Sequence, residues 1–147
     1  MGDRTTAYFT LGGKLTREAY DELLELIEQE SYIQDNSFED TDVREALVER
    51  KRFDIWIDEA NYGSADPFPD FARRHGLPYH HSWASGGGYG PGGEIYDPAT
   101  GETIEYAGLH DGGPCLPVTE LKRMTHSEIL QWIERVERPL PPLEFDF

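Results

Sequence analysis

Carboxylates are the side chains in this chain whose type and spacing most clearly suggest a chemical role, and they are concentrated in one early stretch. Ten Asp and Glu residues lie between Glu18 and Asp42, and no Lys or Arg lies among them. On a helix, like charges four residues apart repel each other by roughly 0.2–0.5 kcal/mol per pair, whereas solvated faces usually mix both signs. The block is therefore interpreted in two ways, as a docking surface for a Lys- and Arg-rich groove or as an ordinary solvated face.

The docking hypothesis rests on the spacing of these carboxylates. Side chains four residues apart on a helix are about 6 Å apart along its axis, and the phosphates of one DNA strand step by about 3.4 Å. One row of carboxylates is thus more widely spaced than the phosphates, but two rows could approximate the electric field of a nucleic acid. The candidate partner-binding residues are Glu18, Asp21, Glu22, Glu25, Glu28, Asp35, Glu39, Asp40 and Asp42.

In charge, although not in any motif, the first third of the chain resembles small acidic proteins of phages and plasmids that occupy nucleic-acid sites on host defence enzymes. The resemblance implies an anti-defence protein, which is an acidic, non-enzymatic inhibitor that docks a carboxylate-rich face onto a basic groove of its partner. Mimicry of nucleic acid is one form of such docking. The expected partner is a basic protein surface, such as that of a nucleic-acid-binding effector. An immunity-type protein that neutralises a cationic toxin fits the charge pattern equally well.

The whole chain is acidic, with 29 Asp and Glu against 13 Lys and Arg and a formal net charge of −16. This sign disfavours direct binding to nucleic-acid phosphates and to anionic membrane surfaces. No apolar run is long enough for a signal peptide or for a membrane span of ~20 residues, and the single cysteine, Cys115, allows no intrachain disulfide. We therefore expect a cytoplasmic protein that binds neither nucleic acid nor membrane, with its oligomeric state left open.

A small cytosolic enzyme is the alternative to a binding protein. Its pocket would lie near the glycine-rich loop Gly86–Gly93 and would use nearby His, Asp and Cys side chains, namely His80 or His81, His110, Asp111 and Cys115. A thiol beside a histidine is a common nucleophile, but a lone cysteine in a cytosolic chain is more often a small buried apolar residue. The sequence therefore predicts no catalytic residue.

Cofactor and metal motifs are incomplete in this chain. The acidic loop after residue 30 lacks the central Gly and the final Glu of a calcium-binding loop. A zinc site made from the histidines and Cys115 has no recognised spacing. Gly88, Gly90 and Gly93 match G-x-G-x-x-G, but a strand and a turn follow them where a dinucleotide site requires a helix. We therefore predict no cofactor and no metal.

The helix that carries the first carboxylates is predicted over residues 16–30. Its apolar residues Tyr20, Leu23, Leu24 and Ile27 recur at the spacing of an amphipathic helix, and Thr16 is suited to cap it. The other predicted elements are helices over residues 42–51, 66–75 and 125–138 and strands over residues 7–11, 53–58, 79–83, 94–97 and 102–106. The last helix is predicted to begin with a capping box of Thr125 and Glu128. Its predicted apolar arc consists of Ile129, Leu130, Ile133 and Val136.

The order of these elements is β-α-α-β-α-β-β-β-α, without an internal repeat. Early strands alternate with helices and later strands form a hairpin, which is typical of an α+β or α/β fold. We predict a single globular domain over residues 1–138, with a mixed β-sheet of about five strands and helices packed on it. A Pro-rich, acidic-aromatic tail over residues 139–147 follows, which is expected either to lie across the body or to be loose.

Overall fold

The computed structural model describes residues 4–29, 52–61, 64–86, 90–108 and 113–146. The strands in these ranges are β1 (Arg4–Leu11), β2 (Gly13–Leu15), β3 (Phe53–Asn61), β4 (Tyr79–Trp83), β5 (Gly92–Asp97), β6 (Glu102–Gly108), β7 (Pro114–Cys115) and β8 (Leu143–Phe145). The helices are α1 (Arg17–Gln29), α2 (Phe68–Arg74), α3 (Val118–Leu121) and α4 (His126–Glu137).

Six of the strands form one sheet in the order β3-β1-β4-β5-β6-β7, and every ladder in it is antiparallel. Because side chains alternate along a strand, Ala7, Phe9 and Leu11 of β1 share one face, where all three are buried. We call this the core face of the sheet. The opposite face, which carries Thr10 of β1 and its partner His80 of β4, is called the outer face.

Helices α1 and α2 cover the core face. Helix α1 buries a stripe that includes Tyr20, Leu23 and Ile27, as its periodicity predicts, and α2 buries Phe68 and Phe71. These residues belong to one hydrophobic cluster with the buried residues of the sheet. Burying each large apolar side chain contributes about 1.5–3 kcal/mol, so this layer supplies the main cohesion of the fold.

Aromatic rings run across the core face and connect the elements that meet there. The ring of Phe9 lies 5.2 Å from that of Tyr79 and 5.9 Å from that of Phe68. Tyr79 in turn stacks on Tyr96 at 5.6 Å. Such ring pairs contribute about 0.5–1.5 kcal/mol beyond the area that they bury. The row therefore ties β1, β4, β5 and α2 together.

Helix α4 begins with the capping box that the sequence predicts. The hydroxyl of Thr125 accepts a hydrogen bond from the backbone N–H of Glu128, and the carboxylate of Glu128 accepts one from the backbone N–H of Thr125. Its predicted apolar arc is not buried, however, because Leu130 and Ile133 remain 53% and 38% exposed. The helix is thus amphipathic without being a core helix.

Ion pairs attach α4 to the β5–β6 hairpin. Arg135 pairs with Glu102 at 3.1 Å, and Arg138 pairs with Asp97 at 3.2 Å. Both pairs are partly exposed, and exposed pairs of this kind typically contribute 0.2–1 kcal/mol. This helix is therefore held less firmly than α1 and α2.

The C-terminal segment lies across the body of the protein. Residues 139–142, which we call the strap, lead from α4 to strand β8, and β8 pairs in parallel with β2. Gly12 lets the strap pass, because a Cβ at this position would lie 2.1 Å from the carbonyl oxygen of Pro141. The backbone N–H of Gly13 donates to the carbonyl of Pro142 at 3.2 Å, and Leu143 is fully buried.

The predicted α+β fold class is confirmed, with six strands in the main sheet where about five were expected. The main sheet is antiparallel throughout, where a mixed sheet was expected. The predicted strands and helices coincide with β1, α1, β3, α2, β4, β5, β6 and α4 to within a few residues. Strands β2, β7 and β8 and helix α3 were not predicted. The predicted helix over residues 42–51 lies outside the described residues. No helix within the described ranges is long and apolar enough to cross a membrane.

We expect Gly12→Ala to lower the free energy of unfolding by about 1–3 kcal/mol, the usual cost of forcing atoms into a packed site. The added methyl group would displace the carbonyl of Pro141 and loosen the strap. Gly90→Ala is the matched control, because nothing lies within 4 Å of a Cβ at Gly90. Urea denaturation of both variants measures the difference. Equal stability of the two variants would show that the strap does not pack against Gly12.

Candidate functional site

The solvent side of α1 carries a row of carboxylates. Glu18, Asp21, Glu25 and Glu28 are all exposed, and their alternating spacings of three and four residues keep them on one side of the helix. We call these four residues the α1 acid row, and it rises about 15 Å along the helix axis. Glu18, Asp21 and Glu25 form no ion pair with any residue in the described ranges. Their negative charge is therefore open to solvent.

Glu22 does not belong to this row, because its side chain contacts α2. Its Oε1 accepts a hydrogen bond from Nη1 of Arg74 at 2.8 Å, and its Oε2 pairs with Nε2 of His75. Arg74 also donates to Asp70 at 3.0 Å. Burial alone would raise the pKa of Glu22, but the hydrogen bonds from His75 and Arg74 outweigh burial and lower the pKa. Among the predicted partner-binding residues of α1, Glu22 is therefore the least available to a partner.

The other predicted partner-binding residues, Asp35, Glu39, Asp40 and Asp42, lie outside the described residues, as do His110 and Asp111 of the enzyme alternative. Cys115 is half-buried on β7, opposite Ala107 of β6. Three strand spacings, about 14 Å in all, separate its strand from β4, which carries His81. The thiol of Cys115 is therefore beyond hydrogen-bond reach of the His81 imidazole.

A polar cluster that sequence reasoning missed lies on the core face, between β4, β5 and α2. The hydroxyl of Tyr79 donates to Oε1 of Glu94 at 3.1 Å and accepts a hydrogen bond from Nη1 of Arg73 at 2.6 Å. Nδ1 of His81 donates to the same Oε1 at 3.3 Å. Since His81 lies directly opposite Glu94 in the β4–β5 ladder, the register of the strands creates this cluster.

The electrostatics of the cluster favour an ionised carboxylate. Burial raises the pKa of Glu94, but the hydrogen bond and charge of His81, the hydroxyl of Tyr79 and the charge of Arg73 together outweigh burial and lower it. Burial, with the charge of Glu94, raises the pKa of the Tyr79 hydroxyl far above its ordinary value. A carboxylate–imidazole pair can move a proton, and it can equally satisfy buried polar groups in a core.

His80 faces away from this cluster, onto the outer face of the sheet. Its Nε2 shares a hydrogen bond with the hydroxyl of Tyr106. The Tyr106 ring covers Gly93, where a Cβ would lie 2.3 Å from the hydroxyl oxygen. Burial, together with the charge of His81, lowers the pKa of His80, so its imidazole is neutral at neutral pH. The two adjacent histidines therefore serve separate sites, as strand alternation predicts.

The described ranges contain no group of three or more His, Cys, Asp or Glu residues that could hold a metal ion. Comparisons with protein-family models, with curated proteins and with solved structures give no match to this chain. The candidate functional site is therefore defined by its own geometry, which consists of the α1 acid row on the surface and the polar cluster in the interior.

Separate replacement of Glu22 and Glu25 should distinguish the joint between α1 and α2 from the α1 acid row. We expect Glu22→Gln to lower the free energy of unfolding, because it removes the ion pair with Arg74 and weakens the contact with His75. Glu25→Gln should leave stability unchanged or slightly higher, since it relieves repulsion with Asp21. Urea denaturation at low ionic strength measures both effects. Equal losses of stability in the two variants would contradict this division of roles.

The polar cluster predicts a pH-dependent contribution to stability. Because the pKa of Glu94 is lower in the folded chain than its ordinary value of 4.5, the unfolded chain binds more protons between these two values. The stabilisation is thus complete above pH 4.5 and disappears as the pH falls through the folded pKa. We expect Glu94→Gln to lower the free energy of unfolding by about 1.5–3 kcal/mol at neutral pH, as for a charged hydrogen-bonded group.

The difference between wild type and Glu94→Gln should shrink as the pH falls below 4.5, as followed by urea denaturation over a pH series. Glu105→Gln is the matched control, because Glu105 lies opposite Glu94 in the β5–β6 ladder but is exposed. Its effect should be small at every pH. A Glu94→Gln difference that stays constant from neutral to acidic pH would rule out an ionised Glu94 in the fold.

Proposed function

We propose that this protein is a non-enzymatic binding protein that docks the α1 acid row onto a Lys- and Arg-rich groove of a partner protein. A groove of this kind ordinarily holds a polyanion such as nucleic acid, so its occupation would inhibit the partner. The anti-defence role implied by the resemblance in charge belongs to this proposal. The net charge of −16 supports a cationic partner and speaks against direct contact with nucleic acid.

The observation that carries this proposal is that three carboxylates of the α1 acid row are not neutralised by any residue in the described ranges. Glu18, Asp21 and Glu25 are exposed and form no ion pair within the described ranges. Arg74 of the neighbouring helix cannot readily neutralise them, because its guanidinium already pairs with Glu22 and Asp70. Like charges at these spacings destabilise a helix, and a role in binding a cationic partner would account for their presence on α1.

The α1 acid row is also held in a fixed arrangement, which favours recognition. The hydroxyl of Thr16 accepts a hydrogen bond from the backbone N–H of Ala19 at 3.2 Å and so caps the helix. On the buried side, Leu23 is fully enclosed, and the ring of Tyr20 packs edge-on against Phe145 at 5.4 Å. A preformed charge pattern lowers the ordering cost of binding and steers the encounter with a cationic partner.

Neutralising three carboxylates of the α1 acid row should weaken binding to a cationic partner by about tenfold, since exposed ion pairs contribute about 0.2–1 kcal/mol each. The test variant carries Glu18→Gln, Asp21→Asn and Glu25→Gln. The matched control loses the same charge from exposed sites elsewhere, through Glu105→Gln, Glu120→Gln and Glu137→Gln. Fluorescence anisotropy measures the affinity for labelled oligolysine at several salt concentrations. The same measurement is made with any protein that the wild-type chain captures from source cells.

The control variant should keep most of the wild-type affinity, and the affinity of the wild type should fall steeply with added salt. Equal loss of affinity in the two triple variants would reject the α1 acid row as the docking surface, because net charge alone would then explain binding. The captured protein separates the two forms of the proposal. A nucleic-acid-binding effector supports inhibition by mimicry, and a cationic toxin supports the immunity-type alternative.

A further inference from the structure

Two adjoining cavities lie between the outer face of the sheet and the strap. One has a volume of about 220 Å³ and the other of about 210 Å³. Ile95, Arg138, Pro139 and Leu140 line both cavities, so this part of the chain forms a wall that they share. The α1 acid row takes no part in either cavity, because α1 packs on the core face.

The first cavity is mainly apolar. Pro78, Ile104 and Pro141 contribute to its lining, together with the shared Ile95 and Leu140. Its volume is below the roughly 300–1,000 Å³ of pockets for drug-sized ligands. Burial of apolar surface is worth about 25 cal/mol per Å², so this cavity suits a short hydrocarbon chain or a single ring.

The second cavity carries the guanidinium of Arg52. Nε of Arg52 donates to the carbonyl of Leu140 at 2.8 Å, but Arg52 pairs with no carboxylate in the described ranges. Such a group is notable in a chain with 29 acidic and 13 basic side chains. The planar fork of a guanidinium matches a carboxylate, to which it donates parallel hydrogen bonds.

The other charged groups at the two cavities limit the charge that a ligand can carry. Asp54 lines the second cavity, and its Oδ1 accepts a hydrogen bond from the hydroxyl of Thr10 at 2.7 Å. The guanidinium of Arg138 already forms ion pairs with Asp97 at 3.2 Å and with Glu134 at 3.6 Å. The carboxylate of Asp54 would repel a doubly charged phosphate more strongly than a singly charged carboxylate. The local balance therefore favours a monoanion.

We propose that the two cavities together bind a small amphipathic monocarboxylate. Its apolar body would occupy the first cavity against Ile104 and Ile95, and its carboxylate would accept hydrogen bonds from the terminal nitrogens of Arg52 in the second. His80, whose Nε2 is engaged by Tyr106, forms an uncharged part of the wall. This site lies on the outer face and is independent of the function proposed for α1.

Octanoate and octanol are suitable probes, because they share an apolar chain and differ in the charged head group. We expect octanoate to bind, with chemical-shift changes in the NMR spectrum centred on Ile95, Ile104 and Leu140. Octanol should bind at least about tenfold more weakly, the loss expected for one charge-assisted hydrogen bond. Arg52→Gln should weaken octanoate by a similar factor and leave octanol unchanged, since Gln keeps a donor for the Leu140 carbonyl.

Two control variants make the test specific. Arg123→Gln removes an exposed guanidinium away from the cavities and should leave octanoate binding unchanged. Ile104→Trp should fill the first cavity and abolish binding of both probes, whereas Leu130→Trp adds the same ring at an exposed position of α4 and should have no effect. Equal affinities for octanoate and octanol, no detectable binding of octanoate, or shifts scattered over the surface would each overturn the proposal, even if Arg52→Gln failed to fold.

Discussion

Burial of the Tyr79 side chain is the constraint on which the rest of the structure depends. The side chain is fully buried, and its ring contacts Phe9 on one neighbouring strand and Tyr96 on the other. A buried hydroxyl without a partner costs about 1–3 kcal/mol, and Arg73 and Glu94 supply the partners here. A shift of one residue would move every side chain of β4 to the opposite face, so ring and hydroxyl are satisfied in one register only.

That register decides which polar side chains meet. His81 and Glu94 lie on the core face with Tyr79, where helix α2 contributes Arg73 to the same hydrogen-bond network. His80 and Ile95 are directed to the outer face, where the strap leaves two cavities. One pair of antiparallel strands therefore supplies both an interior polar cluster and the wall of a ligand-sized cavity.

Local patterns in the sequence predict the helices and strands well, but they do not predict contacts between residues that are far apart in the chain. The apolar stripe of α1 and the capping box of Thr125 and Glu128 depend on residues a few positions apart, and both are found where expected. The pairing of β2 with β8 joins opposite ends of the chain, and no local pattern marks it. Periodicity identifies α4 as amphipathic but does not show whether another element covers it, and Leu130 is exposed in the fold.

The acidic block shows the same limit within a single helix. Composition and spacing predict a charged face on α1, and Glu18, Asp21 and Glu25 lie on such a face. Glu22 instead contacts Arg74 and His75 at α2. Because both residues are far from Glu22 in the sequence, this contact depends on where α2 packs. Likewise, the partners of Glu94 follow from strand register. The contacts of Glu22 and Glu94, which depend on residues of other elements, could therefore not be assigned from the sequence.

The distribution of arginines connects the two proposed sites. Several arginines hold elements together: Arg74 joins α2 to α1, Arg135 and Arg138 join α4 to the β5–β6 hairpin, and Arg73 supports Tyr79. Cations used at such joints are not available to Glu18, Asp21 and Glu25, and the net charge of −16 would attract a cationic partner from a distance.

The same long-range field repels anions, so a carboxylate could be held at Arg52 only by contacts at short range. Burial of its apolar body and direct hydrogen bonds to the guanidinium are contacts of that kind, and both are little affected by distant charges. The acidity of the chain thus acts in opposite directions at the two sites. It would strengthen the recognition proposed at α1, and it would restrict the outer-face cavities to ligands with little charge and substantial apolar surface.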